Sequence, residues 1–243
     1  MESSSETMVR SASDRVLVIM AKAPRPGAVK TRLASSLSPA AIPAFYRCLL
    51  QDTLTLAGSL RHVEVGIMCP DSDVNQLVQL VGREVNVVPQ KGEGLAAGLT
   101  SVFARFADHP RRRIIAFNSD SPHLPRSVLE NAFEALTTHD LVVGPTHDGG
   151  YYLIGAKASY PTLFASDGMG TSTALDRLLS RARALNLCVG FAAPFYDIDI
   201  ADDLTRLAED LRRAPEKAPR TARWLKEWDL VAQRSHRTGA GEL

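Results

Sequence analysis

Short runs rich in Val and Ile alternate with helical patterns along this chain, and that alternation constrains the fold more than any other feature. A short apolar run bounded by turn signals is typical of a buried strand. Such runs occur at 16–21, 63–68, 85–88, 114–117, 141–145, 151–155 and 187–190. Because strands that alternate with helices form parallel sheets, the sequence predicts an α/β fold with a mostly parallel sheet and helices on both faces.

The charge balance and the cysteines limit the partners and the location of the protein. The 243 residues carry 28 Lys and Arg against 27 Asp and Glu, a formal charge of +1. No net field therefore attracts nucleic acid or an anionic membrane. The cysteines Cys48, Cys69 and Cys188 lack C-x-x-C spacing and are interpreted as core residues in a reducing compartment. Since no apolar run has membrane-spanning length, we expect a cytoplasmic protein with neither nucleic acid nor membrane as a partner.

One large domain with short flanking segments is the predicted organisation. Residues 1–14 lack the hydrophobic core of a signal peptide and are predicted to be a disordered extension. Residues 15–213 are the predicted domain, and residues 214–243 a linker, a short helix and a polar tail. Trp224 and Trp228 form an apolar stripe in that helix. We expect the stripe to pack on the domain's own surface, with a homodimer contact as the alternative.

A basic loop follows the first predicted strand and reads Lys-Ala-Pro-Arg-Pro-Gly-Ala-Val-Lys-Thr-Arg-Leu over residues 22–33. Its prolines stiffen the backbone, and its glycine allows a ligand to approach closely. Its cations offer charge-assisted donors that suit phosphate oxygens. The loop lacks the first glycine of a Walker sequence, and a solvated basic turn is the alternative interpretation. The predicted nucleotide contacts here are Ala21, Lys22, Ala23, Gly27, Lys30 and Arg32.

Two further segments complete the predicted nucleotide site. The glycines of Gln90-Lys-Gly-Glu-Gly94 follow a strand and would let a nucleobase lie against backbone amides. A tight turn without a ligand would also require glycines. Asn118 and Asp120 follow the central strand pattern, where open α/β sheets bind their ligands. The predicted contacts in these two segments are Gln90, Gly92, Gly94, Asn118 and Asp120.

Three carboxylates are predicted to gather at this edge of the sheet. Asp120 lies just past its strand, and Asp197 and Asp199 have a strand-like spacing of two that directs both side chains to one side. Carboxylates beside bound phosphate would repel it unless a divalent cation lay between them. Mg²⁺ or Mn²⁺ prefers such oxygen ligands. Alternatively, Asp197 forms a cap or an ion pair, and Asp199 begins the last helix of the domain.

The turn between the fifth and sixth strand patterns is the candidate acceptor site. Thr146-His-Asp-Gly-Gly150 is followed by two tyrosines, so one tight turn offers several hydrogen-bond donors and acceptors. Hairpin chemistry alone would also explain the Asp-Gly-Gly sequence. The predicted acceptor contacts here are His147, Asp148, Gly149, Gly150 and Tyr151.

Four motifs in this order resemble the DUF2064 family of GT-A-fold, nucleotide-diphospho-sugar-transferase-like proteins. They are the basic loop, Asn118-Ser-Asp-Ser-Pro122, Asp148-Gly-Gly-Tyr-Tyr152 and the segment 196–204, which reads Tyr-Asp-Ile-Asp-Ile-Ala-Asp-Asp-Leu. The chain is also similar to guanylyltransferases that act on 2-phospholactate or phosphoenolpyruvate. This resemblance implies a GT-A, Rossmann-like fold over roughly residues 16–211. It further implies Mg²⁺ binding by Asp120, Asp197 and Asp199, and triphosphate binding by Lys22, Lys30 and Arg32.

One segment departs from the family pattern. Family members commonly have a tryptophan followed by Ser or Gly and Thr, where this chain reads Asp-Gly-Met-Gly-Thr-Ser-Thr over residues 167–173. The segment is expected to border the acceptor, with Gly170 and Thr171 as contacts. The resemblance therefore does not carry over the identity of the acceptor.

These observations predict a metal-dependent nucleotidyltransferase that acts on an NTP and a small acceptor, with Lys30, Arg32 and Asp120 in catalytic roles. A glycosyltransferase that uses a nucleotide sugar, with Asp148 or His147 as its base, is the first alternative. A non-catalytic nucleotide-binding protein is the second. The two cations Lys30 and Arg32 favour the nucleotidyltransferase, because a third phosphate needs more positive charge than a diphosphate with its metal.

Overall fold

The computed structural model describes residues 13–82, 84–164 and 171–239. Most of the predicted N-terminal extension and the predicted acceptor contact Gly170 lie outside these residues. Within them, the chain alternates strands and helices as the sequence predicts. No helix of the described part is long and apolar enough to cross a membrane.

Seven strands of the described chain form one sheet in the order β3-β2-β1-β4-β6-β5-β7. Their bounds are β1 Arg15–Met20, β2 Val63–Cys69, β3 Asn86–Pro89, β4 Arg113–Asn118, β5 Leu141–Pro145, β6 Tyr151–Ala156 and β7 Val189–Phe191. Only β6 runs antiparallel to its neighbours, β4 and β5. The short turn between β5 and β6 forces this reversal, because parallel strands need a long crossover. The predicted mostly parallel sheet is confirmed.

Seven α-helices of the described chain connect and cover the strands. Their bounds are α1 Ala41–Gly58, α2 Val74–Val81, α3 Gly94–Phe106, α4 Arg126–Ala135, α5 Ala174–Ala184, α6 Ala201–Arg213 and α7 Pro219–Gly239. Leu17 and Ile19 of β1 join a core with α1, α2 and α4 on one face. Val16 and Val18 join a core with α3 and α5 on the other face. Apolar side chains on both faces of β1 explain why its sequence is a continuous apolar run rather than an alternating one.

The strand register brings the candidate functional loops to one edge of the sheet. Met20, the last residue of β1, is aligned with Met68 in β2 and with Asn118 in β4. The loops that follow these three strands are therefore neighbours at the carboxyl edge. Beyond β4, Thr146 forms an isolated bridge with Phe195, which brings the β5–β6 turn and the segment before α6 to the same edge.

Helix α7 packs on α1 through an apolar stripe and a buried acid. The Trp224 ring lies 4.9 Å from the Phe45 ring and stacks on the Trp228 ring at 6.3 Å, between centroids. The buried Asp52 accepts hydrogen bonds from the backbone N–H groups of Arg220 and Thr221, at 3.3 and 2.8 Å. The tryptophans thus pack on the protein's own surface, as the sequence predicts.

Candidate functional site

The basic loop is held in place by a buried carboxylate that the sequence analysis did not identify. Asp73, at the end of the turn after β2, is 1% exposed. It accepts a hydrogen bond from Ala23 N at 2.8 Å and forms an ion pair with Arg25. Gly27 and Lys30 adopt the left-handed conformation, at φ +73° and +47°. A positive φ is uncommon for a residue with a side chain, such as Lys30. Arg25 therefore anchors the loop, whereas Lys30 points towards the acidic residues.

Lys30 lies between two of the predicted metal ligands. Its ammonium contacts Asp120 Oδ2 and is 3.6 Å from Asp199 Oδ1, and Arg32 pairs with the other oxygen of Asp199. Burial lowers the pKa of Lys30, but Asp120, Asp199 and Asp197 together outweigh that effect and raise the pKa. The lysine is therefore a charged group in a nearly enclosed acidic environment.

Asp197 belongs to the same cluster. Burial and, next, the negative charge of Asp120 raise the pKa of Asp197, and Lys30 opposes both effects, so that this pKa is about 6. Asp148 of the β5–β6 turn contributes a smaller increase in this pKa. Asp120, Asp197 and Asp199 thus gather around one lysine, and Asp148 lies close enough to influence Asp197. The segment 196–199 is irregular rather than a strand, yet the carboxylates of Asp197 and Asp199 are both close enough to Lys30 to raise the pKa of this lysine.

The donor set around Lys30 fits a hard cation. In the described residues, no three or more Asp, Glu, His and Cys side chains are arranged as a ready metal site. However, Asp120 Oδ1 and Asn118 Oδ1 are buried and have no hydrogen-bond partner among the described residues. Buried oxygens normally have a partner, and Mg²⁺ and Mn²⁺ are bound by such oxygens. Asp120, Asp197 and Asp199 are the residues that could hold such an ion.

A cavity of about 880 Å³ opens beside this cluster at the carboxyl edge of the sheet. Ligand pockets commonly span about 300–1,000 Å³, so the volume suits a nucleotide. The predicted nucleotide contacts that line it are Ala21, Lys22, Lys30, Arg32, Gln90, Gly92, Gly94 and Asp120. Ala23, Gly27 and Asn118 are not part of its lining. Ala23 binds Asp73, and the Asn118 amide nitrogen donates to Ser121 at 3.0 Å.

The predicted acceptor residues form a tight turn packed against the start of α5. Asp148 accepts hydrogen bonds from the Thr146 hydroxyl and from Gly150 N, as in an Asx turn. Gly149 has φ +85°, and a Cβ at this position would lie 2.0 Å from Ser172 O. The turn therefore requires glycine for structural reasons. His147 to Tyr151 and Thr171 lie outside the lining of the 880 Å³ cavity, and their role towards an acceptor stays a prediction.

A hydrogen-bonded serine connects the two acidic loops. The fully buried Ser121 donates from Oγ to Tyr196 O at 3.0 Å, next to Asp197. Asp203 accepts hydrogen bonds from Asp199 N and Ile200 N, at 3.0 and 2.9 Å. Asp203 therefore caps α6. Both contacts fix the backbone that carries the paired carboxylates.

Tyr46 is a site residue that sequence reasoning missed. It lies in α1 among apolar residues, and its spacing gives no sign of a role in the site. Its hydroxyl accepts a hydrogen bond from Lys22 N at 3.2 Å and is 2.8 Å from Ser119 Oγ. The same α1 helix binds Ser119 O through Thr53 Oγ1, at 3.2 Å. Tyr46 thus joins the basic loop to the loop that carries Asp120.

We expect Tyr46→Phe to reduce kcat/KM by about tenfold, because Lys22 N and the buried Ser119 Oγ lose a hydrogen-bond partner, a loss worth about 1–2 kcal/mol. The matched control is Tyr152→Phe, which removes a hydroxyl bound to Ala193 O at 2.8 Å. Steady-state kinetics and thermal unfolding of both variants check the expectation. Equal losses of activity in both variants would show that Tyr46 has no particular role at the site.

His123 is buried without hydrogen-bond partners for its ring nitrogens among the described residues. The ring is 4.8 Å from Phe195 and 4.7 Å from Tyr196, between centroids. Burial lowers the pKa of His123 to about 4. Between pH 6.5 and 4 the unfolded chain therefore binds a proton that the folded chain does not bind, so stability decreases as the pH is lowered through that range.

We expect His123→Leu to remove about 2 kcal/mol of the stability that the wild type loses between pH 7 and 4.5, since one pKa unit corresponds to about 1.4 kcal/mol. Urea unfolding of both proteins at the two pH values measures the difference. The leucine also removes two unpaired buried nitrogens, so stability at pH 7 should not decrease by more than about 1 kcal/mol. An unchanged acid sensitivity in the variant would contradict a neutral buried histidine.

The fold matches the GT-A-like fold of nucleotide-sugar transferases. A solved protein from Desulfovibrio desulfuricans G20 with the provisional name nucleotide-diphospho-sugar transferase has 27% identity and a TM-score of 0.81, covering 91% of this chain and 98% of its own. The resemblance to DUF2064 is confirmed, since the model of that family, described as an uncharacterized protein conserved in bacteria, matches residues 53–171.

More distant solved structures share the fold. Rv0371c from Mycobacterium tuberculosis H37Rv has 20% identity and a TM-score of 0.53, over 82% of this chain and 100% of its own. The inositol-1-phosphate CTP transferase from T. maritima has 15% identity and a TM-score of 0.56, over 85% and 98%. No curated protein matches the chain. The neighbours that are named for an activity are transferases, which agrees with the predicted enzyme class.

Proposed function

We propose that the protein is a divalent-metal-dependent nucleotidyltransferase that joins an NTP-derived nucleotide to a small phosphorylated or phosphonate acceptor. An oxygen of the acceptor attacks the α-phosphorus, the bond from that phosphorus to the bridging oxygen breaks, and pyrophosphate leaves with the electron pair. Such reactions need positioning and charge neutralisation rather than a protein nucleophile. The observation that carries the proposal is the position of Lys22, Lys30 and Arg32 beside the carboxylates of Asp120 and Asp199 in one cavity.

The basic residues are assigned to the phosphates. Lys30 and Arg32 lie at the acidic end of the cavity, and Lys22 lines it at the end of β1. When the phosphates bind, these side chains donate charge-assisted hydrogen bonds to oxygens that become more negative as pyrophosphate leaves. Gln90, Gly92 and Gly94 line the same cavity and are assigned to the nucleobase side.

The acids are assigned to a divalent ion. Asp120, Asp197 and Asp199 would hold Mg²⁺ or Mn²⁺, and two observations support this: Asp120 Oδ1 has no partner among the described residues, and the charge of Asp120 repels that of Asp197. A bound ion of this kind supplies positive charge to the α-phosphate and to the leaving group. A manganese complex of Rv0371c has been solved, at 20% identity and a TM-score of 0.51.

The acceptor is assigned to the β5–β6 turn. Asp148 lies close enough to raise the pKa of Asp197, which places this turn beside the acidic cluster. The acceptor proposal also includes contacts from His147, Tyr151 and Thr171. A cytoplasmic location is a separate part of the proposed function. A homodimer stays a prediction of the sequence.

A glycosyltransferase is the second candidate. The provisional name of the Desulfovibrio desulfuricans protein, with its TM-score of 0.81, favours this activity. A diphosphate sugar would occupy the same cavity, with Asp148 or His147 as the base. Three carboxylates and three lysine and arginine side chains at one cavity make a non-catalytic nucleotide-binding protein the weakest candidate.

The deciding experiment supplies each NTP with Mg²⁺, pyrophosphatase and a panel of phosphorylated acceptors, and measures phosphate release. Reactions without acceptor are the control for plain hydrolysis. We expect acceptor-dependent phosphate release with at least one NTP. Consumption of a UDP- or GDP-sugar by the protein, together with no NTP consumption, would replace the proposal by the glycosyltransferase.

A further inference from the structure

The acidic cluster already has a cation in the ligand-free protein, and that cation is Lys30. Its side chain is 8% exposed, and its ammonium contacts Asp120 and lies 3.6 Å from Asp199. Asp197 is close enough to raise the pKa of this ammonium. The three residues assigned to a divalent ion are therefore the same three that stabilise the charge of Lys30.

Lys30 neither pairs with every carboxylate oxygen of this cluster nor neutralises all of its negative charge. It contacts Oδ2 of Asp120, while Oδ1 of the same carboxylate is buried and has no partner among the described residues. Burial and the charge of Asp120 still raise the pKa of Asp197 to about 6. Lys30 and Arg32 together bring two positive charges to three carboxylates. The cluster thus keeps a net negative charge, which a divalent ion would neutralise better than the Lys30 ammonium does.

A divalent ion and Lys30 cannot both occupy the centre of this cluster, since like charges at such a distance repel strongly in a buried environment. The lysine side chain has a flexible four-carbon stem, and its residue precedes the short turn Thr31–Ser35 at the cavity wall. From that position the same ammonium can bind the phosphates of a nucleotide that enters the cavity.

We infer that Lys30 is an exchangeable counter-ion: it neutralises Asp120 and Asp199 while the cavity is empty and moves to the phosphates when a nucleotide binds. The divalent ion then binds well only after the nucleotide has drawn Lys30 away, so the two ligands bind cooperatively. This inference rests on the proposed function, because the exchange requires a phosphate-bearing ligand. By linkage, the ion must strengthen nucleotide binding by the same factor.

The test measures the binding of Mn²⁺ alone, through loss of the paramagnetic resonance signal of the free ion. We expect K30M to bind Mn²⁺ at least tenfold more tightly than the wild type. K30R keeps the positive charge and should stay within about threefold of the wild type. K22M removes a lysine that lines the same cavity and should also stay within that range. If K30M does not fold, K30Q provides the same comparison.

A second measurement separates this inference from the proposed function. Equilibrium dialysis of the wild type with each NTP, with and without Mn²⁺, tests whether ion and nucleotide bind together. Cooperative binding in the wild type with no gain of Mn²⁺ affinity in K30M would overturn the role of Lys30 and leave the proposed function intact. An equal gain in K22M would also overturn it, because general loss of charge would then explain the effect. No NTP binding by the wild type under any condition would overturn the proposed function itself.

Discussion

Asp120→Asn is expected to lower turnover about 10³-fold while leaving the melting temperature within a few degrees of the wild type. The amide keeps the shape of the side chain but removes the negative charge that Lys30 and a divalent ion share. Loss of one group that stabilises developing charge commonly costs 10²–10³-fold, and a weakened metal adds to this loss. Stability should change little for two reasons. Lys30 still has a carboxylate partner, because its ammonium lies 3.6 Å from Asp199 Oδ1. The substitution also reduces the number of mutually repelling carboxylates from three to two.

The measurement is a steady-state assay with the substrate pair that the NTP and acceptor screen identifies, together with thermal unfolding of the metal-free protein. Asp202→Asn is the matched control, since this exposed acid lies in the first turn of α6 near the cluster and should retain full activity. A decrease in melting temperature beyond about 10 °C for Asp120→Asn would indicate that the carboxylate is mainly structural. Unchanged turnover would remove it from the catalytic site.

The largest expected loss of stability is about 3 kcal/mol, for Asp52→Ala. The Asp52 carboxylate is fully buried. It accepts hydrogen bonds from Thr221 N and Thr221 Oγ1, at 2.8 and 2.9 Å, and from Arg220. Its removal leaves the first turn of α7 without its cap and leaves buried donors unpaired, effects that cost about 1–2 kcal/mol and 1–3 kcal/mol by themselves.

Urea unfolding of Asp52→Ala and of Arg220→Ala distinguishes the buried cap from the exposed ion pair. The Arg220 side chain is 48% exposed, so its removal should cost less than about 1 kcal/mol. Activity per folded molecule should stay normal in both variants, because this contact lies on the α1–α7 side of the domain. Equal and small losses in the two variants would show that α7 docks through its tryptophans alone.

Much of the site could be predicted because the loops that follow parallel strands lie close together at one edge of the sheet. The apolar runs fixed which segments are strands, and strands that run parallel bring their following loops to one edge. The basic loop, the Gly92 turn and Asp120 are therefore expected to meet, and the cavity contains residues from all three. Asp197 and Asp199 lie in an irregular segment, because a two-residue spacing does not distinguish a strand from a loop.

The residues that hold the loops could not be found in this way. Tyr46, Asp73 and Ser121 bind groups that lie 24 to 75 positions away in the chain. Nothing in the neighbouring sequence of a tyrosine in an apolar helix, or of an aspartate in a short turn, identifies such a distant partner. The hydrogen-bonding capacity of these side chains is visible in the sequence, but their partners depend on how helices pack on the sheet.

The sequence by itself determined the order of strands and helices, the edge where polar loops meet and the residue types available for phosphate and cation binding. It did so because the periodicity of apolar residues and turn chemistry are local properties. Only the tertiary structure decided that Lys30 lies among the carboxylates rather than facing solvent, that Arg25 anchors the loop through Asp73, and that Asp52 caps α7. Each of these depends on the distance between charges far apart in the chain, and that distance is set by packing.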